Sequence, residues 1–226
     1  MKIENKYKMS VEENVFYAKR NLIDSMWKSA NLEGIAVTYP QTEMIFEELA
    51  IQNMYIKDIN AIINLKHAWY FILENVKYPI DIPFILKVHQ LIGEANVIPY
   101  PGVIRTTAVD MGGTEWKPSI PNKEEFKKNI EKILYFPDKS ETEKALDMML
   151  YICRSQPFYD GNKRVATLVA NHILIQNGVG LLAIPIQNQL EFKNLLIQFY
   201  ETNNDKNIKE FLYKECIKGM VFRGEE

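Results

Sequence analysis

The sequence has few of the residues that mark disulfide-rich, zinc-binding or histidine-dependent proteins. Its 226 residues include two cysteines, Cys153 and Cys216, and neither has a second cysteine or a histidine at metal-ligand spacing. Isolated cysteines of this kind predict reduced, buried thiols instead of a disulfide framework or a zinc site. Only three residues are histidines, which leaves few candidates for proton transfer at neutral pH.

Long apolar runs and a strong charge of one sign are also absent. The most apolar stretch, 165–186, is interrupted by Asn171, His172 and Gln176, so no transmembrane helix is predicted. The first residues form no apolar signal-peptide core. A net charge of -2 gives no basic excess for nucleic-acid binding. We therefore expect a cytoplasmic protein with neither nucleic-acid nor membrane partners, and the oligomeric state stays open.

Helical periodicity dominates the chain. A composition of 47% hydrophobic and 25% charged residues is typical of a globular protein, and the length suits one domain with a sizeable core. An opening helix is predicted to end near Gly34, and a second to begin at Thr38, which has capping-box spacing to Gln41. Further helices are predicted at 59–76, 82–95, 123–134, 141–155, 165–177, 189–203 and 208–220.

Residues 105–117 interrupt the helical pattern. The segment is rich in β-branched residues up to Gly112 and Gly113 and then runs out towards two prolines. This pattern predicts a β-hairpin that turns at the glycine pair. The alternative is a long connecting loop. As a functional element, the hairpin would be a flap whose edge strand binds an extended segment of a partner.

The segment 155–164, SQPFYDGNKR, has the most chemical content. It leads directly into an apolar helical pattern, and a helix start presents free N–H groups and a positive dipole end, which suit a phosphate. Lys163 and Arg164 add positive charge. Asp160 could hold a divalent cation between protein and phosphate, or could simply cap the helix. Gln156 stands at the start of the loop, where no obvious proton acceptor is present.

Residues 156–164 resemble the sequence signature of the Fic/Doc family, H-x-F-x-[D/E]-G-N-[G/K]-R, at every fixed position except the first. The predicted hairpin resembles the target-binding flap of that family. Residues 29–34, SANLEG, resemble its N-terminal inhibitory motif, [S/T]-x-x-x-E-[G/N]. The resemblance implies a mainly α-helical, Fic-type bundle in a single domain 1–226. Its parts would be an inhibitory helix region at 1–40, a core at 41–205 and a C-terminal helix at 206–226.

The resemblance also implies an activity, the transfer of AMP from ATP, with Mg²⁺, to a hydroxyl group of a target protein bound through the flap. Phe158 would anchor the loop in the core. The positions that match family residues are Gln156 and Arg164 for catalysis; Asp160, Gly161, Asn162, Lys163, Arg164, Gly112, Gly113 and Asn203 for nucleotide binding; Asp160 for the metal; Val109, Met111, Thr114 and Trp116 for the target; and Ser29, Glu33 and Gly34 for regulation.

The first departure from the family pattern is Gln156, which replaces the histidine that takes the proton from the target hydroxyl. A carboxamide can donate and accept hydrogen bonds, but it cannot act as a base at neutral pH. Loss of a general base typically lowers a rate by about 10²–10⁴-fold. None of the three histidines, His67, His89 and His172, lies in the loop.

Two further departures concern positive charge. Lys163 stands where most AMP-transferring members have glycine, and the members with lysine include Doc-type toxins, which phosphorylate their targets. Thr167 replaces a second arginine that holds the terminal phosphate and pairs with the inhibitory glutamate. Inhibition must then depend on Glu33 itself, which we expect to reach Arg164, Lys163 or the Asn162 amide; the alternative is a solvated glutamate at a helix end.

Three functions stay open on the sequence alone. The first is a catalytically weakened or divergent protein adenylyltransferase that binds nucleotide phosphates at 160–164 and is autoinhibited by Glu33, with a Doc-like kinase as its variant. The second is a nucleotide-binding pseudoenzyme. The third is an interaction module that no longer binds nucleotide.

Overall fold

The computed structural model describes residues 3–221 of the chain. Within these residues the fold is mainly α-helical, as predicted, with ten α-helices and one two-stranded antiparallel sheet. The helices are α1 Val11–Arg20, α2 Leu22–Leu32, α3 Tyr39–Phe46, α4 Ile56–Glu74, α5 Ile82–Gly93, α6 Lys123–Leu134, α7 Glu141–Ser155, α8 Asn162–Gln176, α9 Gln189–Thr202 and α10 Lys206–Phe211; the strands are β1 Leu181–Leu182 and β2 Ile217–Lys218.

Helix α8 is the centre of the core. Twelve of its fifteen residues are buried, which is typical of a helix surrounded by other elements on all sides. It makes its most extensive contact with α7, and α1, α4 and α5 also pack against it. The loop between α7 and α8, residues 156–161, is therefore held at both ends by the best-packed part of the molecule.

Side-chain caps explain why several helices begin where they do. Thr38 and Gln41 form the predicted capping box at the start of α3. Asp81, Asn122 and Ser140 accept hydrogen bonds from the first turns of α5, α6 and α7. Each cap satisfies a backbone N–H group that has no partner within its helix. These boundaries follow from local sequence.

The predicted opening helix is interrupted. It divides at Asn21 into α1 and α2, and the second part ends before Gly34, whose φ is +86°. The Asn21 side-chain amide donates to the Tyr17 carbonyl at 2.8 Å. Asparagine side chains compete in this way for backbone groups and favour helix ends over helix interiors.

The predicted β-hairpin at 105–117 is wrong in its hydrogen bonding. The segment turns at Gly112 and Gly113 as expected, but its two arms form no β-ladder. The buried Arg105 guanidinium instead donates to the carbonyl groups of Thr107, Pro118 and Ser119. The Arg105 side chain thus occupies carbonyl groups at the base of the flap, and these groups are then not available for strand pairing. We refer to residues 105–117 as the flap.

The predicted C-terminal helix is also shorter than expected. Helix α10 continues into a π-helical turn, Leu212–Cys216, and the chain then forms β2, which pairs antiparallel with β1. The Lys6 ammonium group donates to the carbonyls of Tyr213 and Lys214 in that turn. The remainder of the predicted C-terminal region, 222–226, lies outside the described residues. No helix within 3–221 is both long and apolar enough to cross a lipid bilayer.

Candidate functional site

The loop between α7 and α8 has a tightly constrained backbone. Gln156 adopts a left-handed conformation with φ 47° and ψ 61°, and Gly161 has a φ of +80°. A Cβ atom at position 161 would lie 2.6 Å from Ile98 Cδ1, so glycine is favoured by the backbone conformation, and a larger residue would also have to displace the Ile98 side chain. No described side chain caps the start of α8. The N–H groups of its first turn stay available to an anionic ligand.

A cleft of about 420 Å³ opens in front of this helix start. One wall is the loop 156–163, the second is the flap at 110–112, and the third is α9. Glu33 lies at its edge. Basic side chains enter the cleft from two elements, Lys163 from α8 and Lys193 from α9. The cleft therefore combines a helix N-terminus with positive charge, which suits phosphate groups.

The loop is supported from below by Phe158 and His89. Phe158 is fully buried and stacks on the His89 ring, with centroids 3.7 Å apart. His89 Nδ1 accepts a hydrogen bond from the Gly102 N–H at 2.9 Å, and Nε2 lies 3.1 Å from the Asp160 carbonyl oxygen. A neutral ring with its proton on Nε2 satisfies both contacts. Burial lowers the pKa of His89 to about 4, so this histidine supports the loop and has no free nitrogen for a substrate.

The other two histidines are also unsuited to the cleft. His172 is buried and its Nε2 lies 2.9 Å from the Tyr78 carbonyl oxygen, and His67 is an exposed residue of α4. Cys153 and Tyr200 lie close to Gln156. Burial raises the pKa of the Cys153 thiol to about 12 and raises the pKa of the Tyr200 phenol, so both stay protonated at neutral pH.

Gln156 uses both ends of its side-chain amide within the protein. Its Nε2 donates to the Cys153 carbonyl at 2.6 Å, and its Oε1 accepts from Asn162 Nδ2 at 2.8 Å. Its backbone carbonyl accepts from Arg105 Nε at 2.6 Å. The residue at the position of the family histidine is thus bonded to α7, to α8 and to the base of the flap.

Glu33 approaches the loop from α2. Its Oε1 lies 3.5 Å from Lys163 Nζ and its Oε2 lies 4.0 Å from Arg164 Nε. Neither Glu33 Oε1 nor Arg164 Nε has a hydrogen-bond partner among the described residues, so the contact is coulombic. Ser29 lies one turn earlier and its carbonyl accepts from the Glu33 N–H at 3.3 Å. The Thr167 hydroxyl donates to the Lys163 carbonyl within α8. Among the described residues it forms no hydrogen bond with another helix or loop.

Asp160 has the geometry of a candidate magnesium ligand. Its Oδ1 accepts from the Gly161 N–H at 2.5 Å and lies 3.4 Å from an Arg164 guanidinium nitrogen. The side chain is 53% exposed and lines the cleft, so the other oxygen can face a ligand. The described residues contain no cluster of three or more metal-ligating side chains. One carboxylate fits Mg²⁺, which commonly takes its other ligands from phosphates and water.

The flap contributes only part of its predicted residues to the cleft. Met111 and Gly112 line it, and Gly113 lies against α9, where an added Cβ would be 3.4 Å from Ile197 Cδ1. Thr114 Oγ1 donates to Glu201 Oε1 at 3.2 Å, which fastens the flap tip to α9. Val109 is half-buried and does not line the cleft.

Trp116 and Asn203 lie outside this cleft. Trp116 covers the Arg154 guanidinium, 3.7 Å from the ring centroid, and Asn203 adopts a left-handed conformation at the end of α9. Both line a separate cavity of about 540 Å³ between the flap, α6 and α7. Asn203 therefore lines a different cavity from the 156–163 loop in this structure.

Sequence reasoning missed Arg105, His89, Lys193 and Tyr159. The Tyr159 hydroxyl accepts from the Thr106 N–H at 3.2 Å, and hydrogen bonds from Thr106 and Thr107 lower its pKa to about 8. This contact joins the loop to the flap. Of these residues, only Arg105 had a signal in the sequence. It is a charged residue within a β-branched run, and a charged side chain that is buried must find several hydrogen-bond acceptors.

Comparison with known proteins relates part of the chain to a sequence family. Residues 79–174 match the sequence profile of the Fic/DOC family. The chain is 24% identical over 224 residues to the protein adenylyltransferase fic-1 of Caenorhabditis briggsae, covering 89% of this chain and 43% of that protein. It is 26% identical over 179 residues to the Caenorhabditis elegans protein of the same name, covering 74% and 34%. The chain spans less than half of the length of these curated relatives.

Solved structures show the same fold. Fic-1 from C. elegans superposes with a TM-score of 0.78 at 22% identity, covering 91% of this chain and 67% of that one. A Fic domain containing signaling protein from Bacteroides thetaiotaomicron superposes with a TM-score of 0.72 at 19% identity, covering 91% and 86%. The chain therefore has a Fic-type helical fold. The match to the Fic/DOC family model covers residues 79–174, a part of the chain.

Proposed function

We propose that this protein binds ATP at the 160–164 loop and is a weakened or divergent protein adenylyltransferase that is autoinhibited by Glu33. The observation that carries the proposal is the uncapped start of α8, with Lys163 in the lining of a cleft that can accept a nucleotide and the buried Arg164 next to it in the helix. Curated relatives named protein adenylyltransferase support the reaction class.

The residues of the loop would divide the work of binding the phosphates. The N–H groups at the start of α8 and the Arg164 guanidinium hold the phosphate oxygens and stabilise charge that develops on them. Asp160 would hold Mg²⁺, which would supply neutralisation of phosphate charge. A target hydroxyl then attacks the α-phosphorus, and pyrophosphate leaves with the electron pair of the broken P–O bond.

The proton of the target hydroxyl has no ordinary acceptor at position 156. Gln156 cannot take it, and both ends of its amide are bonded within the protein. The reaction would therefore run about 10²–10⁴-fold below that of an enzyme with a working base. The same observation favours the second candidate, a nucleotide-binding pseudoenzyme.

Autoinhibition would follow from the position of Glu33. Its carboxylate lies close to the two cations that a terminal phosphate would use. Like charges at this distance repel, so nucleotide and Glu33 would compete for the same place. In this proposal the 1–40 region acts as a regulatory unit on the core at 41–205.

ATP affinity tests the inhibitory role. We expect Glu33→Gly to bind ATP·Mg²⁺ more tightly than the parent protein in calorimetric titrations. Glu47→Gly is a matched control, because Glu47 is also the residue that ends a helix, α3, but does not line the cleft. Equal affinities of the Glu33→Gly variant and the parent would remove Glu33 from the proposal.

Labelled ATP distinguishes the functions. The parent, Glu33→Gly and Glu33→Gly/Gln156→His proteins are incubated with ATP labelled at the α or the γ phosphate. Label from the α phosphate in the Glu33→Gly protein supports the divergent adenylyltransferase, and label from the γ phosphate supports the kinase that Lys163 suggests. Label only after histidine is restored supports the pseudoenzyme. A protein that neither transfers label nor binds ATP contradicts the proposed function.

A target protein would dock on the flap. Residues 103–110 form no strand, and residues 108–110 take part in no backbone hydrogen bond among the described residues, which leaves their backbone groups for an added strand. Met111, at the cleft, would face both target and nucleotide. Substitution of Val109 by proline, which cannot donate a backbone hydrogen bond, should weaken target modification and leave ATP affinity unchanged.

A further inference from the structure

The side chain of Gln156 joins the two helices that carry the phosphate-binding loop. We propose that Gln156 is a positioning residue, whose amide holds Asn162 and the loop in the conformation that accepts phosphate. The effect on nucleotide binding depends on the proposed function, whereas the effect on the loop itself does not.

On the α7 side, Gln156 satisfies a backbone group that would otherwise lack a partner. Its Nε2 donates to the carbonyl of Cys153, which lies in the last turn of α7. Carbonyls in the last turn of a helix have no partner within the helix. The left-handed backbone of Gln156 turns the chain back so that its own side chain can reach this carbonyl.

On the α8 side, Gln156 completes the hydrogen bonding of Asn162. The Asn162 Oδ1 accepts from the Phe158 N–H at 2.9 Å, and its Nδ2 donates both to the Phe158 carbonyl at 2.9 Å and to Gln156 Oε1 at 2.8 Å. Every hydrogen of this amide group is then used. Asn162 is 4% exposed, and buried hydrogen-bond networks of this kind are strong when they are complete.

This hydrogen-bond network links the two ends of the loop. It runs from the end of α7 through Gln156 and Asn162 to Phe158, which is itself held by the stacked His89. The Gln156 backbone carbonyl adds a bond from the buried Arg105. The first turn of α8 is thus fixed relative to the end of α7 before any ligand arrives, which lowers the ordering cost of binding.

The two contacts demand a group that donates at one end and accepts at the other at the same time. A carboxamide does so without charge, whereas a carboxylate accepts only and would place an oxygen against the Cys153 carbonyl. An imidazole that served as a base would need a free nitrogen and would give up one of the two contacts. In this chain the position holds the loop and does not move a proton.

The test uses Gln156→Met, which keeps the length of the side chain and removes both hydrogen-bonding ends. Gln176→Met is the matched control, because Gln176 also donates to a backbone carbonyl, that of Tyr78, at the opposite end of α8. Both variants are made in the Glu33→Gly background. The two measurements are ATP·Mg²⁺ affinity by calorimetry and amide hydrogen exchange of Phe158 by NMR.

We expect Gln156→Met to weaken ATP binding by about tenfold and to speed exchange of the Phe158 amide by a similar factor, since the loss of two bonds leaves buried partners unsatisfied. Gln176→Met should change neither. Gln156→Glu keeps the shape and loses the donor, and it should also speed Phe158 exchange. It replaces Gln156→Met if that variant fails to fold.

The outcomes separate the two proposals. Unchanged Phe158 exchange in a folded Gln156 variant overturns the positioning role, whatever happens to ATP. Faster exchange with unchanged ATP affinity overturns the link between the loop conformation and phosphate binding. Faster exchange in a protein whose Glu33→Gly parent binds no ATP supports the positioning role and contradicts the proposed function.

Discussion

The Glu33 carboxylate lies 3.5 Å from the Lys163 ammonium group, across the junction between the end of α2 and the start of α8. Glu33 is 15% and Lys163 33% exposed, so the pair is partly shielded from solvent. Thr167, which stands at the position of the family's second arginine, contributes no charge here. Lys163 is therefore the cation closest to Glu33, and it lies on the same turn of α8 as Arg164.

A double-mutant cycle should reveal this pairing. We expect Lys163→Met to weaken ATP binding severalfold in the Glu33→Gln background. In the parent the same substitution should weaken ATP binding less, because it also removes a contact that holds the competing Glu33 carboxylate in place. The coupling should be about 0.2–1 kcal/mol, as is usual for ion pairs near the surface. Calorimetric affinities of the four proteins measure it. Strictly additive effects would show that the two residues act independently.

Arg105 should be among the residues most important for stability. It is 1% exposed, and its guanidinium donates to the carbonyls of Gln156, Thr107, Pro118 and Ser119. Arg105→Met should lower the free energy of unfolding by about 3–5 kcal/mol, because it leaves buried carbonyls unsatisfied.

Urea denaturation of Arg105→Met and of the exposed control Arg20→Met measures the effect. The control should change stability by less than about 0.5 kcal/mol, as surface substitutions usually do. A similar small effect at Arg105 would contradict its assigned role at the base of the flap. Arg105→Lys should not restore the stability, because an ammonium group cannot reach carbonyls on several sides.

The Gly161→Ala substitution should damage the loop more than Gly34→Ala. Both glycines have positive φ values, +80° and +86°. A Cβ at Gly161 would lie 2.6 Å from Ile98 Cδ1, whereas nothing lies within 4 Å of one at Gly34. Gly34→Ala should cost about 1 kcal/mol from backbone strain alone, and Gly161→Ala about 2–3 kcal/mol. Equal losses in denaturation experiments would mean that the Ile98 side chain moves aside freely.

Stability should fall in mildly acidic solution because of His89. Burial lowers its pKa from 6.5 to about 4, so the unfolded chain binds a proton more readily than the folded protein between these values. Folding is therefore favoured fully above pH 6.5, and this contribution is lost as the pH falls towards 4, by up to about 3 kcal/mol. Protonation would also remove the acceptor for the Gly102 N–H.

Denaturation at several pH values checks this assignment. His89→Asn should flatten the dependence of stability on pH between 6.5 and 4, whereas the exposed His67→Asn should not. Burial also lowers the pKa of His172, so some dependence should persist in the His89 variant. An unchanged slope in His89→Asn would assign the acid sensitivity to other groups.

Local sequence predicted the elements whose boundaries depend on neighbouring residues. The capping box of Thr38 and Gln41, the helix end near Gly34 and the loop that leads into α8 were all predictable, because each involves residues a few positions apart. The absence of strand pairing in the flap was not predictable, because the β-branched pattern does not reveal that Arg105 takes the carbonyls at its base.

The candidate site was likewise predictable only in part. The acid, glycine, amide and cations of 160–164 were visible as a phosphate-binding pattern. The placement of Trp116 and Asn203 on a separate cavity was not, since it depends on how elements distant in sequence pack together. The bonds that occupy Gln156 were also invisible, because the left-handed backbone that directs its amide is set by both flanking helices.

The sequence by itself determined the helices, the loop that leads into α8 and the absence of a base at position 156, because these depend on residue types and short spacings. The tertiary structure decided which cations Glu33 meets, since Glu33 and Lys163 lie far apart in the chain and are brought together only by packing around α8. It also decided that Gln156 bonds to both helices, because an amide can be fixed at both ends only where the fold supplies a carbonyl and an N–H group at the right distance.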